Sequence, residues 1–598
     1  MTLLAFAKGN GATSVKTAEL TSRSREPEAP ALTLGPNSRV AVVGGGPAGS
    51  FFSYFFLETA ARLGTPIPID IYEPKTYCQT GPAHCNMCGG IVSESLVQML
   101  GTEGISLPPN VVQRGIDSYV MHMDAGSVRI NPPGRERRIA AVHRGCGPRG
   151  VTKIRWDSFD GHLLALAAAK GARVVHERVE SITWVDGKPC LGTKTGQAQV
   201  YDLVVAAVGV SGPGIKLFES LGAGYVPPRS TKTFICEFHL GEEAIEKHIG
   251  SSMHVFLLNV PRLKFAALIP KGEFVTVVLL GEAVDKELVA AFLNTPEFKR
   301  CMPPGWSPPN DFCRCFPFIN VRGCPEPFSD RLVFVGDCGE SRLYKDGIGG
   351  AYRTAKAAAR TAIFEGVSAE AFRRHYLPVC RNLAADNRIG KLIFAVTSLI
   401  QKLRWTRRGL LHMVAAEQQA SGGAKQMSGV LWDTFTGSAP YRDVFLRTLH
   451  PWFLVRLLYH MTMGFFARAA QQKSSEHGAR TGELGKVYRA GETIVRQGDT
   501  GDCMFVIQSG KVEVITDTGG QEVLLAELGE GDFFGEMALF DNSVRSATVR
   551  AQGEVRALTV DKKLFLRKVH EDPSLAFRIM QRMAHRIREL DSKMAQAD

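Results

Sequence analysis

A glycine-rich turn between an apolar strand and a helix constrains this chain more than any other feature. Residues 39–43 read Arg-Val-Ala-Val-Val, and Gly44, Gly46 and Gly49 follow in the spacing G-x-G-x-x-G. In this context Gly44 makes the tight turn, Gly46 lets the backbone approach a pyrophosphate, and Gly49 lets the helix pack closely on the strand. The free N–H groups at the start of that helix favour bound phosphate. The pattern predicts a dinucleotide-binding unit, and the alternative is a glycine-rich turn without a ligand.

Glu73 ends the next apolar strand, which we expect at residues 67–72. A carboxylate at the end of the second strand can accept hydrogen bonds from ribose hydroxyls, and it would repel a 2′-phosphate. Glu73 therefore strengthens the prediction of a dinucleotide and disfavours NADP at this site.

A second glycine motif lies about 290 residues further along the chain. The apolar run 331–335 ends in Gly336 and Asp337, and Gly347, Gly349 and Gly350 then open a helical stretch. Together the two motifs resemble those of the FAD-dependent family that includes aromatic hydroxylases, flavin halogenases and geranylgeranyl reductases. The resemblance implies FAD as the cofactor, with Asp337 bonding the ribityl chain and the glycines from Gly347 to Gly350 approaching the flavin and the pyrophosphate. The alternative for Gly336-Asp337 is an ordinary turn.

Other segments resemble the same family. They are residues 155–160, which resemble its R-x-x-F-D stretch with one more residue between Arg155 and Phe159, and residues 201–209, in which Val208 replaces the aspartate of the D-G motif. Cys88-Gly-Gly90 is similar to the C-G-G element of the geranylgeranyl reductases, and residues 265–272 resemble the strand that lines their substrate cavity. The resemblance implies a catalytic role for Cys88.

The implied activity is oxidoreduction, and we expect a reductase of an apolar, isoprenoid-like or lipid-like small molecule. NAD(P)H would act as a transient electron donor. Two alternatives stay open: a flavin monooxygenase, and a non-catalytic sensor that binds flavin and a cyclic nucleotide.

The cysteines leave three interpretations open for one segment. Cys85 and Cys88 have the C-x-x-C spacing of a redox dithiol or half a metal site, whereas Cys313 and Cys315 are too close together to supply a second zinc pair. We expect Cys88 to line the flavin pocket, Cys85 to be structural, and no metal to bind. The 13 cysteines, an odd number in a long chain, favour a reducing compartment and a cytoplasmic protein.

Near the C-terminus a third motif predicts a second ligand. Phe534-Gly-Glu-Met-Ala-Leu539 is followed by Arg545-Ser-Ala-Thr548, and this pair resembles the phosphate-binding cassette of cyclic nucleotide-binding domains. Arg545 offers a charged donor fork for the cyclic phosphate, and Glu536 can accept the ribose 2′-OH. The remaining candidate residues provide close backbone approach, a helical turn and a small hydroxyl: Gly535, Ala538 and Ser546. The alternative is a degenerate roll that binds nothing.

The ligand of this cassette is predicted to be cAMP or cGMP. The net charge of +12 is compatible with nucleotide, anionic lipid or nucleic acid partners. The residues after the roll are too few for a helix-turn-helix, so we expect no DNA binding.

The whole chain is expected to divide into five regions. The fold class is an α/β Rossmann-type FAD-binding domain with an inserted mixed α+β substrate domain, a helical segment, and a C-terminal β-roll with a closing helix. The expected boundaries are a disordered leader at 1–38, the FAD-dependent domain at 39–400, a helical cap or connector at 401–470, a linker at 471–483 and the cyclic nucleotide-binding domain at 484–598.

The helical region at 401–470 also raises the question of membrane contact. Its aromatic and basic stretch at 452–466 is too short and too charged to cross a membrane. It could pack as a cap on the FAD domain or lie in a membrane interface. A protein peripheral to the inner face of a membrane therefore remains an alternative to a purely cytoplasmic one.

Overall fold

The computed structural model describes residues 32–594 except 82–83, 133–135, 150, 152–155, 421–424, 467–483, 519–520, 541–543 and 572–573. Most of the expected leader, the whole expected linker and Arg155 lie outside the described residues. The end of the expected leader is ordered against the first domain, since the N–H of Val367 donates to the carbonyl of Leu32 at 2.6 Å.

The described chain forms helices and strands in this order: β1 (Val40–Val43), α1 (Pro47–Arg62), β2 (Ile69–Tyr72), β3 (Ile91–Val92), α2 (Glu94–Thr102), β4 (Val112–Ile116), β5 (Ser118–Met123), β6 (Gly126–Ile130), β7 (Ile139–Val142), α3 (Phe159–Ala169), β8 (Arg173–Val175), β9 (Val179–Val185), β10 (Lys188–Thr193), β11 (Gln199–Val200), β12 (Leu203–Ala206), α4 (Gly214–Glu219), β13 (Arg229–His239), α5 (Glu242–His248), β14 (Ser252–Phe256), β15 (Leu263–Lys271), β16 (Phe274–Gly281), α6 (Lys286–Leu293), α7 (Pro296–Lys299), β17 (Cys313–Cys315), β18 (Phe318–Arg322), β19 (Phe328–Ser329), β20 (Leu332–Phe334), α8 (Gly347–Phe364), α9 (Ala369–Ala371), α10 (Leu377–Lys402), α11 (Arg404–Gln419), α12 (Gln426–Thr436), α13 (Tyr441–Thr448), α14 (Pro451–Phe466), β21 (Lys486–Tyr488), β22 (Thr493–Val495), β23 (Cys503–Ser509), β24 (Val512–Thr518), β25 (Gln521–Leu528), β26 (Phe533–Phe534), α15 (Met537–Phe540), β27 (Thr548–Ala551), β28 (Val555–Asp561), α16 (Lys562–Glu571) and α17 (Ser574–Met594).

The first domain is built on a six-stranded sheet in the order β19-β20-β12-β1-β2-β8. All its neighbouring pairs are parallel except β19 with β20. β1 is apolar along its whole length because helices cover both faces of such a sheet, and all four of its residues are buried. The carboxyl ends of β1, β12 and β20 meet at one edge, which is where ligands bind in sheets of this kind.

A second, mostly antiparallel sheet is inserted between strands of the first. Its order is β17-β13-β16-β15-β14-β5-β6, with β18 also paired to β13. Smaller sheets, β3-β7-β4 and β11-β10-β9, complete this part of the chain. The predicted α/β domain with an inserted mixed α+β domain is therefore confirmed.

The helical region follows without a break, because α10 runs continuously through the boundary that we expected at residue 400. Its buried side chains, such as Trp432, Tyr441 and Phe453, pack in one cluster with the inserted sheet. This packing agrees with a helical cap. Among the residues that the structure describes, no helix combines the length and apolar character that crossing a membrane requires.

The C-terminal region is a β-roll of two four-stranded sheets, β21-β28-β23-β26 and β22-β27-β24-β25, followed by α16 and α17. Glycines with positive φ turn the chain between short strands, for example Gly491 at 79°, Gly498 at 86° and Gly510 at 87°. The predicted roll with a closing helix is confirmed.

The roll packs directly on the first domain. Apolar side chains of both belong to one cluster, and a Cβ added to Gly101 in α2 would lie 3.5 Å from Leu558 of β28. Polar contacts border this interface: the N–H of Thr559 donates to Glu136 at 2.8 Å, and Arg138 pairs with Asp561 at 2.8 Å.

Candidate functional site

The first glycine motif has the close approaches that the sequence predicts. Gly44 has φ of +108°, and a Cβ there would lie 2.5 Å from the carbonyl oxygen of Ala207 at the end of β12. A Cβ on Gly49 would lie 1.9 Å from the carbonyl oxygen of Gly44, so the helix could not pack on the turn. Gly46 is the N-cap of α1 and lies next to Asn86. Any larger side chain at Gly44 or Gly49 would displace the start of α1.

Glu73 is buried beneath the same turn. Its Oε2 accepts hydrogen bonds from the N–H of Gly45 and the hydroxyl of Tyr77, both at 2.9 Å, and its Oε1 accepts from the N–H of Lys75 at 2.9 Å. Here Glu73 fixes the shape of the turn. Its role toward a ribose stays a prediction.

The two predicted FAD motifs meet at the carboxyl edge of the parallel sheet. Gly336 has φ of +68°, and a Cβ there would lie only 2.8 Å from the Cβ of Ala48 in α1. Asp337 lies beside Gly347, the first residue of α8, and a Cβ on Gly347 would be 4.0 Å from its Oδ1. Burial raises the pKa of Asp337, and a hydrogen bond with Ser341 and the charge of Arg144 oppose that rise.

The glycines that open α8 are also sterically required. A Cβ on Gly349 would lie 2.3 Å from a carboxylate oxygen of Asp346, and one on Gly350 would lie 3.0 Å from the backbone nitrogen of Arg342. The helix begins at Gly347, so these glycines form its first turn.

A buried arginine beside these motifs was missed by the sequence analysis. Arg144 forms a two-contact ion pair with Asp160, whose side chain is fully buried, and Asp160 also accepts a hydrogen bond from Asn86. The Arg144 guanidinium lies within hydrogen-bonding reach of the Cys88 thiol. The sequence around Arg144, Arg-Gly-Cys-Gly, is rich in glycine but resembles no known motif, and it therefore did not indicate a functional arginine.

Cys88 lines a small cleft, with a cavity volume of about 40 Å³, between the first domain and the inserted sheet. The cleft also brings together Cys85, Cys313 and Cys315, so the C-x-x-C and C-x-C pairs share one wall although about 225 residues separate them. Burial raises the pKa of Cys85 to about 11 and of Cys315 to about 12, so both are thiols at neutral pH. All 13 cysteines are free of disulfide bonds in this structure.

The strand 265–272 contributes less to this cleft than expected. Lys271 lines it, but Phe265 is packed in the core with Phe394, at 6.0 Å between ring centroids. Phe265 and Lys271 lie on the same face of β15, but the Phe265 end of that face is covered by α10, and the role of this strand in lining a substrate cavity stays a prediction.

A buried polar triad forms another part of the cleft wall. Glu237 Oε1 lies 3.5 Å from His143 Nδ1 and 3.5 Å from Lys271 Nζ, and it accepts a hydrogen bond from Thr276 at 2.7 Å. Burial acts to raise the pKa of Glu237, but Lys271 and His143 outweigh it and lower the value to about 2.

One ring nitrogen of His143 has no hydrogen-bond partner. Burial lowers its pKa even though Glu237 opposes the change, so the ring is neutral near pH 7. Its Nε2 is buried and has no hydrogen-bond partner, while the ring stacks on Trp156 at 5.0 Å. A buried, unpaired polar atom on a cleft wall is expected to meet a ligand.

The cyclic nucleotide cassette lies between β26 and β27. Gly535 has φ of +78°, and Arg545 donates to its carbonyl oxygen at 2.7 Å and to that of Cys503 at 2.7 Å. Ala538 is buried in α15, and the hydroxyl of Ser546 lies 3.8 Å from the sulfur of Met537. The predicted cassette residues therefore gather in one place.

Glu536, the predicted ribose acceptor, is already paired. Its Oε1 lies 3.0 Å from Arg586 Nη1, and Arg586 also donates to the carbonyl of Phe533. Burial raises the pKa of Glu536, and the charge of Arg586 opposes the rise. A second contact of α17, between Arg582 and Asp532, lies one helical turn away. The sequence predicted the closing helix but not these contacts.

Comparison with known protein sequences identifies the C-terminal region of the chain. Residues 485–572 match the family model of the cyclic nucleotide-binding domain, so this part of the chain is such a domain. The chain is 36% identical over 110 residues to the cyclic AMP receptor protein of Thermus thermophilus, which covers 18% of this chain and 51% of that protein. It is 42% identical over 81 residues to the cAMP-dependent protein kinase regulatory subunit of Schizosaccharomyces pombe, covering 14% and 19%. The chain thus spans about half or less of the length of these relatives.

Solved structures resemble most of the chain at low sequence identity. A flavoprotein/dehydrogenase from Cytophaga hutchinsonii is 14% identical with a TM-score of 0.49, covering 72% of this chain and 99% of that one. A mutant of halogenase PltM in complex with FAD is 13% identical with a TM-score of 0.44, covering 72% and 92%. At this level of similarity the fold class rests on the strand order of the structure itself.

Proposed function

We propose that this chain is an FAD-dependent oxidoreductase regulated by a cyclic nucleotide. The observation that carries the proposal is the meeting of the two glycine motifs at Gly336 and Ala48, beside a cleft that holds Cys88 and the unpaired Nε2 of His143.

The residues at this edge of the sheet fit FAD. The turn from Gly44 to Gly49 and the start of α1 would hold the pyrophosphate, Glu73 the ribose and Asp337 the ribityl chain. The opening glycines of α8 leave the backbone bare beside Asp337, and this suits close approach of a flat ring system. When bound, FAD would supply the hydride chemistry, and the protein would position the substrate and exclude water.

His143 is the residue that we assign to proton transfer. With Nδ1–H directed at Glu237, the neutral ring keeps its lone pair on Nε2, which is buried and unpaired in a residue that lines the cleft. Nε2 would accept the substrate proton in the oxidative direction and return it in the reductive direction. Lys271 keeps Glu237 ionised, and Glu237 stabilises the imidazolium that forms. Cys88 remains a second candidate for contact with the substrate.

We propose the reductive direction, with NAD(P)H as the electron donor and a lipid-like small molecule as the substrate. Monooxygenation and a purely sensory role are the competing functions. Reduction of bound flavin by NADH and NADPH, with and without O₂, separates the three. A reductase transfers electrons to the substrate anaerobically, a monooxygenase consumes O₂ in step with product, and a sensor turns over no substrate.

The roll supplies the regulation. Arg545 and Glu536 are placed to hold the phosphate and ribose of cAMP or cGMP, and cAMP is favoured because the named relatives are cAMP proteins. Binding would require Arg586 to release Glu536, which links ligand entry to the position of α17. Turnover assays with and without each nucleotide would reveal the sign of the effect.

The decisive experiment compares His143→Gln with the exposed control His450→Gln in the full chain. Loss of a general base is expected to lower turnover by about 10²- to 10⁴-fold, with the FAD content unchanged. Unchanged turnover in His143→Gln would contradict the role of His143, and a colourless protein that cannot be reconstituted with FAD would contradict the proposed cofactor.

The cap helix α14 supports peripheral membrane contact for a lipid-like substrate. Trp452, Leu458 and Phe465 are 60%, 65% and 65% exposed, and Arg456 lies on the same helix. Aromatic and apolar side chains beside a cation suit the interface of an anionic membrane. Co-sedimentation with anionic vesicles should fall in a Trp452→Ser/Leu458→Ser double variant, and equal binding would contradict membrane contact through this helix.

A further inference from the structure

Two histidines and a cysteine converge inside the inserted domain, away from the cleft and both nucleotide sites. His122 Nε2 lies 2.8 Å from His254 Nδ1, and Cys301 Sγ lies 3.4 Å from the latter and 3.7 Å from the former. Among the described residues, this is the group of three metal-ligating side chains whose ligand atoms all lie within 4.8 Å of one another.

The fold places these side chains from three separate elements. β5 and β14 are parallel neighbours, and His122 pairs with Phe256 in their register, which puts His254 on the same face two residues earlier. Cys301 comes from the turn after α7, where its N–H donates to the carbonyl of Phe298 at 3.0 Å. Because 132 and 47 residues separate the three positions, no local sequence motif announces them.

All three side chains are buried, with exposed fractions of 8% for His122, 6% for His254 and 4% for Cys301. A neutral imidazole keeps one ring nitrogen with a free lone pair for a cation.

The second nitrogen of His254 has a partner of the kind that metal-binding histidines use. Its Nε2–H donates to the carbonyl of Ile249 at 3.4 Å, so the lone pair of the neutral ring lies on Nδ1, toward His122 and Cys301. Backbone carbonyls commonly fix the tautomer and orientation of ligating imidazoles in this way.

The spacing of the three ligand atoms is close to that of a tetrahedral zinc site. Zn–N bonds of about 2.0–2.1 Å and Zn–S bonds of about 2.3 Å place nitrogens about 3.3 Å apart and nitrogen and sulfur about 3.5 Å apart. The two N···S separations, 3.4 and 3.7 Å, bracket that value. The N···N separation would need to widen by about 0.5 Å, a small rotation of either ring.

We propose that His122, His254 and Cys301 bind one Zn²⁺ ion. The ion would replace the thiol proton of Cys301 and join the segment after α7 to β5 and β14. Three protein ligands leave one coordination position, which water can fill. The competing interpretation is a metal-free cluster in which His122 Nε2–H donates to His254 Nδ1. This proposal replaces our expectation from the sequence that the chain holds no metal.

The test is elemental analysis of the full chain, purified without a histidine tag and dialysed against metal-free buffer. We expect about one equivalent of zinc in the wild type and in the control Cys380→Ser, whose buried thiol has no histidine beside it. Cys301→Ser and His254→Gln should each retain at least tenfold less zinc. A Cys85→Ser/Cys88→Ser double variant should keep its zinc, which separates this site from the cysteines of the cleft.

Substitution with Co²⁺ keeps the proposal testable if the variants fail to fold. The cobalt form of the wild-type protein should show a thiolate-to-cobalt charge-transfer band in the near ultraviolet, and the Cys85→Ser/Cys88→Ser protein should keep it. Absence of zinc together with no Zn²⁺ or Co²⁺ uptake by the wild type would overturn the site. Loss of zinc in the Cys85→Ser/Cys88→Ser double variant would also overturn this assignment. So would one equivalent of copper, instead of zinc, in the wild type.

Discussion

The hydroxyl of Ser93 donates a hydrogen bond to Asp346 Oδ1 at 2.7 Å, and this ties the start of α2 to the residue that precedes the glycines of α8. The other end of α2 lies against the roll, where Gly101 contacts Leu558 and Val506. One nine-residue helix therefore touches the predicted FAD site at one end and the cyclic nucleotide-binding domain at the other. We propose that α2 couples the roll to Asp346.

The first prediction concerns this helix. Ser93 also caps α2 by accepting from the N–H of Leu96, so Ser93→Ala should cost about 1 kcal/mol of stability. Because it also removes the hydrogen bond that joins α2 to Asp346, we expect a smaller response of turnover to cyclic nucleotide with nucleotide affinity unchanged. Ser368→Ala, which removes the cap of α9, is the matched control. A full response in Ser93→Ala would exclude coupling through α2.

The second prediction concerns flavin retention. Asp337→Ala would remove the charge-assisted hydrogen bond that we propose to the ribityl chain, which is worth about 1.5–3 kcal/mol, or roughly a 10- to 150-fold rise in the Kd for FAD. Fluorescence titration of the apoprotein measures it. Asp330→Ala, on the opposite end of β20, should leave the Kd unchanged. Equal flavin affinity in Asp337→Ala and wild type would refute the assigned role.

The third prediction concerns the pair that closes the roll. In Arg586→Ala the Glu536 carboxylate no longer has a competing partner, so cyclic nucleotide should bind tighter, by about two- to fivefold for a partly exposed ion pair. Arg545→Ala should abolish binding and leave FAD bound. Calorimetry with cAMP and cGMP measures both, with the exposed Gln581→Ala as control. Weaker binding in Arg586→Ala would mean that Arg586 contacts the nucleotide itself.

The fourth prediction follows from the pKa of Glu237. Its folded-state value of about 2 lies below the ordinary 4.5, so its ionised form stabilises the fold above pH 4.5, and this contribution disappears as the pH falls toward 2. Glu237→Gln should therefore lower the thermal midpoint by several degrees at pH 7, equivalent to about 3 kcal/mol. The difference from wild type should shrink below pH 4.5. The exposed Glu282→Gln should show no such pH-dependent difference, and a constant deficit in Glu237→Gln would contradict the ion pairing.

The sequence predicts those parts of the sites that are formed by residues close together in the chain. The spacing of Gly44, Gly46 and Gly49 and the cassette around Arg545 each encode one turn and one helix start, so local sterics suffice to predict them. The role of His143, by contrast, depends on its contact with Glu237 on β13. The role of Arg586 depends on α17 folding over Glu536. Such contacts depend on strand order and on helix docking, which local patterns do not encode.

The apolar contact between Gly101 and the roll has a consequence for using the roll as a separate domain. Met504, Val506 and Leu558 are buried in one cluster with Leu96 and Leu100 of the flavin domain. A roll excised for use as a biosensor module would turn that face to water and tend to self-associate. Grafting it onto another enzyme would require either polar replacements at those positions or a host surface shaped like α2.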